Sequence, residues 1–521
     1  MAVRTGTLSV WAGAASAALV LALTLGTLGA VAWRADGFGA LGPRDWGYVW
    51  FTVWQAAASA AISVALAIPV ARALARRQFR GRSALITVLG APFILPTIVA
   101  ILGLLAVFGR TGIVSDILSW AGLEPVSIYG IHGILLAHVF FNLPFATRLI
   151  LQGWLSIPAE RFRLAASLGF SAIDVARVLE RPMLRDVVPG VFLVIFLICT
   201  TSFAVALALG GGPQATTVEL AIYQAFRFDF NLSKAALLGL VQVMICVVAG
   251  ALVFKVRLPS TSGVGLDRVV RRWEADGLVL RLQDALCIGL AALFLLGPLS
   301  MIVIEGIGGV FRLPGSILEA AWNSIWVTAV STILCMVFAL SMALAVSRLS
   351  SGAGALVEGI GFLTIAASPL VMGTGLFVMI FPFADPTSLS LPITAVVNAA
   401  MALPFALRAL VPAVRDLQAG YGKLSVSLGL SGFAWLRWVA VPRLRRALGF
   451  GAGLAAALSM GDLGVIALFS NPELETLPLA LFRLMGAYRL DQAASAALLL
   501  VTLSLLAFWI CDRGGRVNVD V

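Results

Sequence analysis

The chain has 521 residues, 60% of them hydrophobic and 12% charged, with a mean hydropathy of +1.02. Soluble domains average about 25% charge, so this chain cannot cover a water-facing surface, and both a soluble enzyme and extended disorder are excluded. A net charge of +11 fits basic residues gathered on the cytoplasmic side of a membrane and gives no reason to invoke nucleic acid.

A bilayer core of about 30 Å needs roughly 20 apolar residues as helix. Twelve such runs occur, near 11–32, 48–71, 84–108, 130–155, 187–209, 235–254, 283–304, 320–346, 355–382, 391–414, 447–469 and 493–511. The expected fold is therefore all-α and polytopic, with about 12 transmembrane helices. Arg4 before an apolar run ending Ala30-Val31-Ala32 resembles a secretory leader, but the run exceeds the roughly 7–15 residues of a leader's core, so an uncleaved first span is expected. Basic residues cluster in 72–82, 148–185, 255–281 and 408–446. Placing those segments inside puts both termini in the cytoplasm.

The chain repeats itself. Leu143-Pro144-Phe145-Ala146 with Arg148 recurs as Leu403-Pro404-Phe405-Ala406 with Arg408, and Ser167-Leu168-Gly169 recurs as Ser427-Leu428-Gly429. Pro182 recurs as Pro442 and Arg185 as Arg445, all at an offset of 260. Upstream, Trp54 and Arg76 match Trp326 and Arg348 at 272; downstream, Thr217 and Leu220 match Thr476 and Leu479 at 259. The expectation is two homologous six-span halves, 1–254 and 283–521, joined by a cytoplasmic linker, 255–282. An even number of spans makes the repeat parallel, with a route for cargo between the halves.

Each half carries a cytoplasmic insertion, 158–185 and 418–445. Leu164, Ala165 and Leu168 recur at helical spacing, as do Leu424, Ser425 and Leu428. Gly169 and Gly429 suit a helix C-terminus, Ser171 and Ser431 can cap a second short helix, and Pro182 and Pro442 punctuate its end. The predicted object is a helix–turn–helix offering small and apolar side chains outward. One copy could simply pack on its own membrane domain; two matching copies suit a symmetric partner with apolar grooves.

The glycine followed thirteen residues later by proline resembles the "EAA" loop of ABC importer permeases, a likeness that covers essentially the whole chain. The resemblance implies that each loop docks on a partner ATPase dimer, through Arg163, Leu164, Ala165, Leu168, Gly169, Phe170 and Pro182 in the first and Lys423, Leu424, Ser425, Leu428, Gly429, Leu430 and Pro442 in the second. Arg163 and Lys423 stand where the family has its leading Glu, and Leu164 and Leu424 where it has its first Ala. The runs from Gly133 through His138 and Asn142 to Pro144, and from Gly210 through Pro213, Glu219 and Tyr223 to Gln224, resemble thiamine and thiamine pyrophosphate importer permeases. That likeness implies thiamine as cargo, a periplasmic binding protein as partner and the bacterial inner membrane as location. Ferric-iron importer permeases share the fused plan and are the runner-up.

Gly420-Tyr421-Gly422-Lys423-Leu424 lacks the spacing and hydroxyl of a phosphate-binding loop. No nucleophile–base pair stands out, so the chain is read as a transport subunit that binds no cofactor, with ATP and Mg²⁺ on the partner. Cys199, Cys246, Cys287, Cys335 and Cys511 are scattered, and His132 and His138 read as packing or pathway groups, so no metal site is expected. Asp462 in the eleventh span is the leading pathway candidate, since an intramembrane acid should face a cavity or a partner. The competing account pairs it with an arginine or has it cap a broken helix. Ser202 lies at the equivalent place in the first half, and Glu219 and Tyr223 are placed in the outer vestibule. The Gly210–Pro213 turn and its counterpart Asn471-Pro472 could meet the binding protein or be plain loops. A twelve-span secondary transporter or an integral membrane lipid transferase would need more intramembrane charge or an interfacial polar cluster than the sequence offers.

Overall fold

The computed structural model describes residues 7–35, 41–90, 94–210, 212, 215–254, 272–273, 276–364, 367–469 and 473–516. Among these the regular structure is entirely helical, as hydrocarbon requires of a backbone that must bond to itself. The N-terminal part comprises α1 (Thr7–Trp33), α2 (Pro43–Arg76), α3 (Arg82–Val88), α4 (Thr97–Phe108), α5 (Ile113–Trp120) and α6 (Ile131–Leu155). It continues through α7 (Ala159–Ser167), α8 (Ala172–Val175), α9 (Arg181–Thr200), α10 (Phe203–Leu209), α11 (Val218–Arg227) and α12 (Leu232–Phe254). The C-terminal part comprises α13 (Leu278–Gly306), α14 (Gly315–Val346), α15 (Ser351–Leu363), α16 (Pro369–Ile380) and α17 (Ser390–Ser427). It ends with α18 (Gly432–Trp435), α19 (Val441–Met460), α20 (Gly464–Phe469), α21 (Leu477–Gly486) and α22 (Leu490–Arg516).

Eleven helices among the described residues are long and apolar enough to cross a bilayer, against the twelve expected. The difference is the run 355–382, which is divided into α15 and α16. Pro369 opens α16, and the residue before a proline is pushed out of helical geometry; Ser368 accordingly has ψ 142°. Three other expected runs are interrupted: 84–108 is divided into α3 and α4, α9 gives way to α10 at Thr201-Ser202, and α19 gives way to α20 around Asp462. Short helices α11 and α21 were not anticipated. Their signal was present in Thr217 and Thr476, which occupy their N-caps.

The first helix of each part packs against the other part. α1 lies along α14 and α16, while α13 lies along α4 and α2 and also touches α22 of its own part. The close approaches fall at positions 272 apart. A Cβ on Gly103 of α4 would stand 2.5 Å from the Pro298 carbonyl of α13, and one on Gly375 of α16 would stand 2.5 Å from the Thr27 carbonyl of α1. Only hydrogen at these positions lets the backbones meet, which is how helices associate where lipid removes the hydrophobic drive. The crossing is also fixed by polar contacts. Arg76 grips Asp284 of α13 through two bonds of 2.6 and 2.8 Å, and Arg77 adds a third at 2.7 Å. Arg348, the counterpart of Arg76, bonds Ser9 of α1 at 2.6 Å. Seven residues further along, Ser16 and Ser341 share a 2.7 Å bond between α1 and α14.

Gly375→Ala should therefore destabilise the protein by about 1–3 kcal/mol, the usual cost of overpacking. Gly250→Ala, whose Cβ would meet open space in α12, should be neutral or stabilising by up to about 1 kcal/mol. Thermal unfolding of the detergent-solubilised variants measures both.

Candidate docking loops and translocation route

The two loops share a turn. α7 ends with the Gly169 amide donating to the Ala166 carbonyl (3.1 Å) and the Phe170 amide to the Ala165 carbonyl (3.0 Å). The second loop repeats this with Gly429 to Val426 (3.1 Å) and Leu430 to Ser425 (2.9 Å). Both glycines are left-handed, at φ 71° and 66°, as this helix-ending motif requires. Leu164 and Leu168 are 60% and 62% exposed, and Leu424 and Leu428 are 52% and 64% exposed. Such leucines, beyond a turn in loops that also carry Arg163 and Lys423, are unusual without a cover.

Sequence reasoning missed four residues of this surface. Ile173 and Phe433 are exposed and 260 apart, as are Val178 and Trp438; their shared apolar character at the repeat offset was the signal. Three expectations need correction. Ala165 and Ser425 are buried rather than offered outward, and the Ser425 hydroxyl accepts a bond from the Trp435 indole at 3.1 Å. Pro182 and Pro442 do not end a helix. Each sits in the first turn of a span, α9 or α19, directly after a π-helical turn, Ala176–Glu180 or Leu436–Ala440. The wider turn removes the clash of the proline ring with the carbonyl four residues back. The second loop's leading helix is not separate: α17 runs unbroken from the membrane to Ser427, whereas Pro158 breaks the first half's chain between α6 and α7. Gln418 stands at the position matching Pro158 and lets the helix continue.

Ser171 and Ser431 differ as well. The Ser171 hydroxyl accepts from the Asp174 amide (3.3 Å), and the Asp174 carboxylate accepts from the Ser171 amide (3.0 Å). Ser431 makes no side-chain cap, and Ala434 lacks the carboxylate that completes the reciprocal bond at Asp174. Arg163 forms an exposed 3.8 Å pair with Glu160.

The pathway candidates converge on α16. The Ser368 hydroxyl, ahead of Pro369, donates to the Glu219 carboxylate of α11 at 2.8 Å, and Glu219 is fully buried. Gly464, beside Asp462, faces both Pro369 and the Phe203 ring of α10, each 3.9 Å from where a Cβ would sit. The Tyr223 ring meets Phe203 edge-on at 5.3 Å, and Ser202 is the N-cap of α10. These two interrupted spans thus meet through Phe203 and Gly464. Asp462 caps the break, its Oδ1 accepting from the Gly464 amide at 3.2 Å, while its Oδ2 is shielded beside Asn398. No arginine pairs with it among the described residues, so the capping account of Asp462 describes its local geometry. His138 bonds Ser59 through Nδ1 at 3.0 Å; at the matching positions Asn398 donates to Ser459, which bonds Ser331 at 2.7 Å.

The short helices are held alike. The Thr52 hydroxyl of α2 accepts from the Val218 amide at 2.8 Å, and the Ser324 hydroxyl of α14 from the Leu477 amide at 2.7 Å. Beside them open two recesses. One of about 740 Å³ is lined by Arg44, Tyr48, Gln224 and Phe228, and one of about 270 Å³ by their repeat counterparts Ser316, Ala320, Arg483 and Ala487. Gly211, Pro213 and Asn471-Pro472, the other candidates at that end, lie outside the described residues.

Eleven long apolar helices among the described residues, with interrupted spans meeting beside an internal acid, define a polytopic membrane protein. No protein-family model matches the chain. It is 38% identical to the thiamine transport system permease protein ThiP of Escherichia coli, over 98% of this chain and 97% of that one. The Salmonella typhimurium ThiP is 39% identical over 85% and 84%, and the Haemophilus influenzae ThiP 33% identical over 84% and 83%. The chain belongs to the thiamine transport permease family.

Ser171→Ala should speed amide exchange in residues 171–175, because losing such a cap costs about 0.5–2 kcal/mol. Ser431→Ala should leave 431–435 unchanged. Hydrogen–deuterium exchange read by mass spectrometry distinguishes the two.

Proposed function

We propose that this chain is the membrane subunit of an ATP-binding-cassette importer that carries thiamine, and its phosphate esters, across the bacterial inner membrane. The observation that carries this reading is the likeness to the Escherichia coli thiamine permease along nearly the whole of both chains. The chain comprises two homologous halves, 1–254 and 283–521, with both termini and the linker 255–282 cytoplasmic. The matched contacts of Gly103 and Gly375, of Thr52 and Ser324, and of the two glycine turns support the duplication. Most of the linker lies outside the described residues.

The loops 158–185 and 418–445 dock on an ATPase dimer that binds ATP and Mg²⁺. Four pairs of apolar side chains support this: 164 with 424, 168 with 428, 173 with 433 and 178 with 438, each exposed at one offset. An apolar surface so repeated suits two identical grooves on a twofold partner. A periplasmic binding protein delivers cargo at the opposite face, where the paired recesses beside α11 and α21 offer two points of contact. ATPase closure then shifts the halves about the junction of Phe203 and Gly464. Uptake of labelled thiamine by proteoliposomes holding permease, ATPase and binding protein tests the whole reading. ATP-dependent accumulation is expected, and uptake that ferric iron displaces while unlabelled thiamine does not would overturn it.

Asp462 serves the route as a carboxylate for a cationic cargo, since thiamine carries a quaternary thiazolium and the Phe203 and Tyr223 rings stand nearby to receive it. Asp462→Asn keeps an oxygen to accept from Gly464 and so preserves the break. It should nevertheless lower uptake about tenfold or more, as loss of a bond to a charged group costs about 1.5–3 kcal/mol. Unchanged uptake at equal expression removes the carboxylate from the route.

A further inference from the structure

The two docking loops are anchored by different chemistry. Beneath the first, Glu180 at the end of the π-helical turn is 3% exposed. It pairs with Arg72 of α2 at 2.9 Å and with Arg272 at 2.7 Å, and it accepts from the Trp154 indole of α6 at 3.2 Å. Arg272 belongs to the linker between the two halves of the chain. Its guanidinium is buried and stacks on the ring of Phe162 at 4.2 Å. Phe162 is itself buried in α7, the helix whose outer face presents Leu164 and Leu168.

At the repeat offsets, every member of this cluster that belongs to the first half is lost. Arg72 corresponds to Leu344, Trp154 to Val414, Phe162 to Gly422 and Glu180 to Ala440. The second loop is held instead by Trp435, which donates to Ser425 at 3.1 Å and lies under the Arg348 guanidinium at 5.0 Å. A buried carboxylate between two arginines is geometrically demanding, and removing one partner leaves uncompensated charge. Such a cluster fixes position more sharply than an apolar contact does.

We infer that Arg272, reaching back from the linker, clasps Glu180 and Phe162 and so positions the first docking helix, and that the second docking helix works without any such clasp. Arg272 touches no partner in this account; it acts through Phe162 and the π-helical turn, and it ties α7 rigidly to α2 and α6. Force applied at the first loop therefore passes directly into the N-terminal span bundle, whereas the second loop passes it along the unbroken α17. The inference rests on the docking role of both loops.

Single reporter cysteines at Leu164→Cys and Leu424→Cys, in a chain with its native cysteines at 287 and 511 replaced by serine, separate the two ideas. Each is cross-linked to the ATPase within the assembled complex, with and without Arg272→Met. In the parent chain both reporters should cross-link; failure of both overturns the docking role itself. With Arg272→Met, cross-linking at 164 should fall roughly tenfold, as expected when a buried ion pair loses one partner, while 424 stays unchanged. Arg272→Lys, which restores the charge to Glu180, should recover part of the loss. Unchanged cross-linking at 164, or an equal fall at 164 and 424, overturns the clasp, the latter because a general loss of fold would strike both loops.

Discussion

A peptide group left unpaired in hydrocarbon costs several kcal/mol, and the architecture follows from how each interruption of a helix is answered. Where α11 and α21 begin, a hydroxyl on a neighbouring long helix receives an orphan amide, Thr52 for Val218 and Ser324 for Leu477. Where α16 begins, Ser368 receives the Leu370 amide at 3.2 Å while donating to Glu219. Where α19 stops, Asp462 receives Gly464. These breaks sit in protein rather than lipid, and they bring Glu219, Tyr223, Phe203 and Asp462 to one region. Of these four, Asp462 also satisfies the backbone, receiving the Gly464 amide at the break.

Much of this was legible beforehand, because the bilayer imposes a length and the duplication imposes a register. The apolar runs located the long helices, and the fixed offsets located the turns at Gly169 and Gly429. What escaped was whatever depends on a single residue changing the path of the chain. Pro369 divides one expected span, and Pro158 separates α7 from α6 while Gln418 lets α17 continue. The prolines at 182 and 442 were read as stops because their ordinary effect is to end a helix; a π-helical turn absorbs them instead. Helical spacing and the family likeness group Ala165 and Ser425 with the outward leucines, but neither says which face the fold covers.

The loops around Gly169 and Gly429 share one property and differ in another. The outward leucines and the glycine turn match, so both loops present a similar shape. The supports beneath them have diverged, ionic and aromatic under the first, hydroxyl and aromatic under the second. The exposed side of each loop has thus been kept while the covered side has changed. The breaks at Ser202 and Asp462 have the same character: the interruption of the helix recurs, and the group placed in it does not.

The crossing of α1 onto α14 and α16 has a bearing on how the chain is assembled. α1 rests against helices made some three hundred residues after it, so Gly375 and Ser341 are not yet there to receive it when it enters the bilayer. Until then Thr27 and Ser16 face lipid or a passing chaperone. The N-terminal half cannot reach its finished packing alone, and the order of synthesis leaves its first span waiting until the second set of helices arrives.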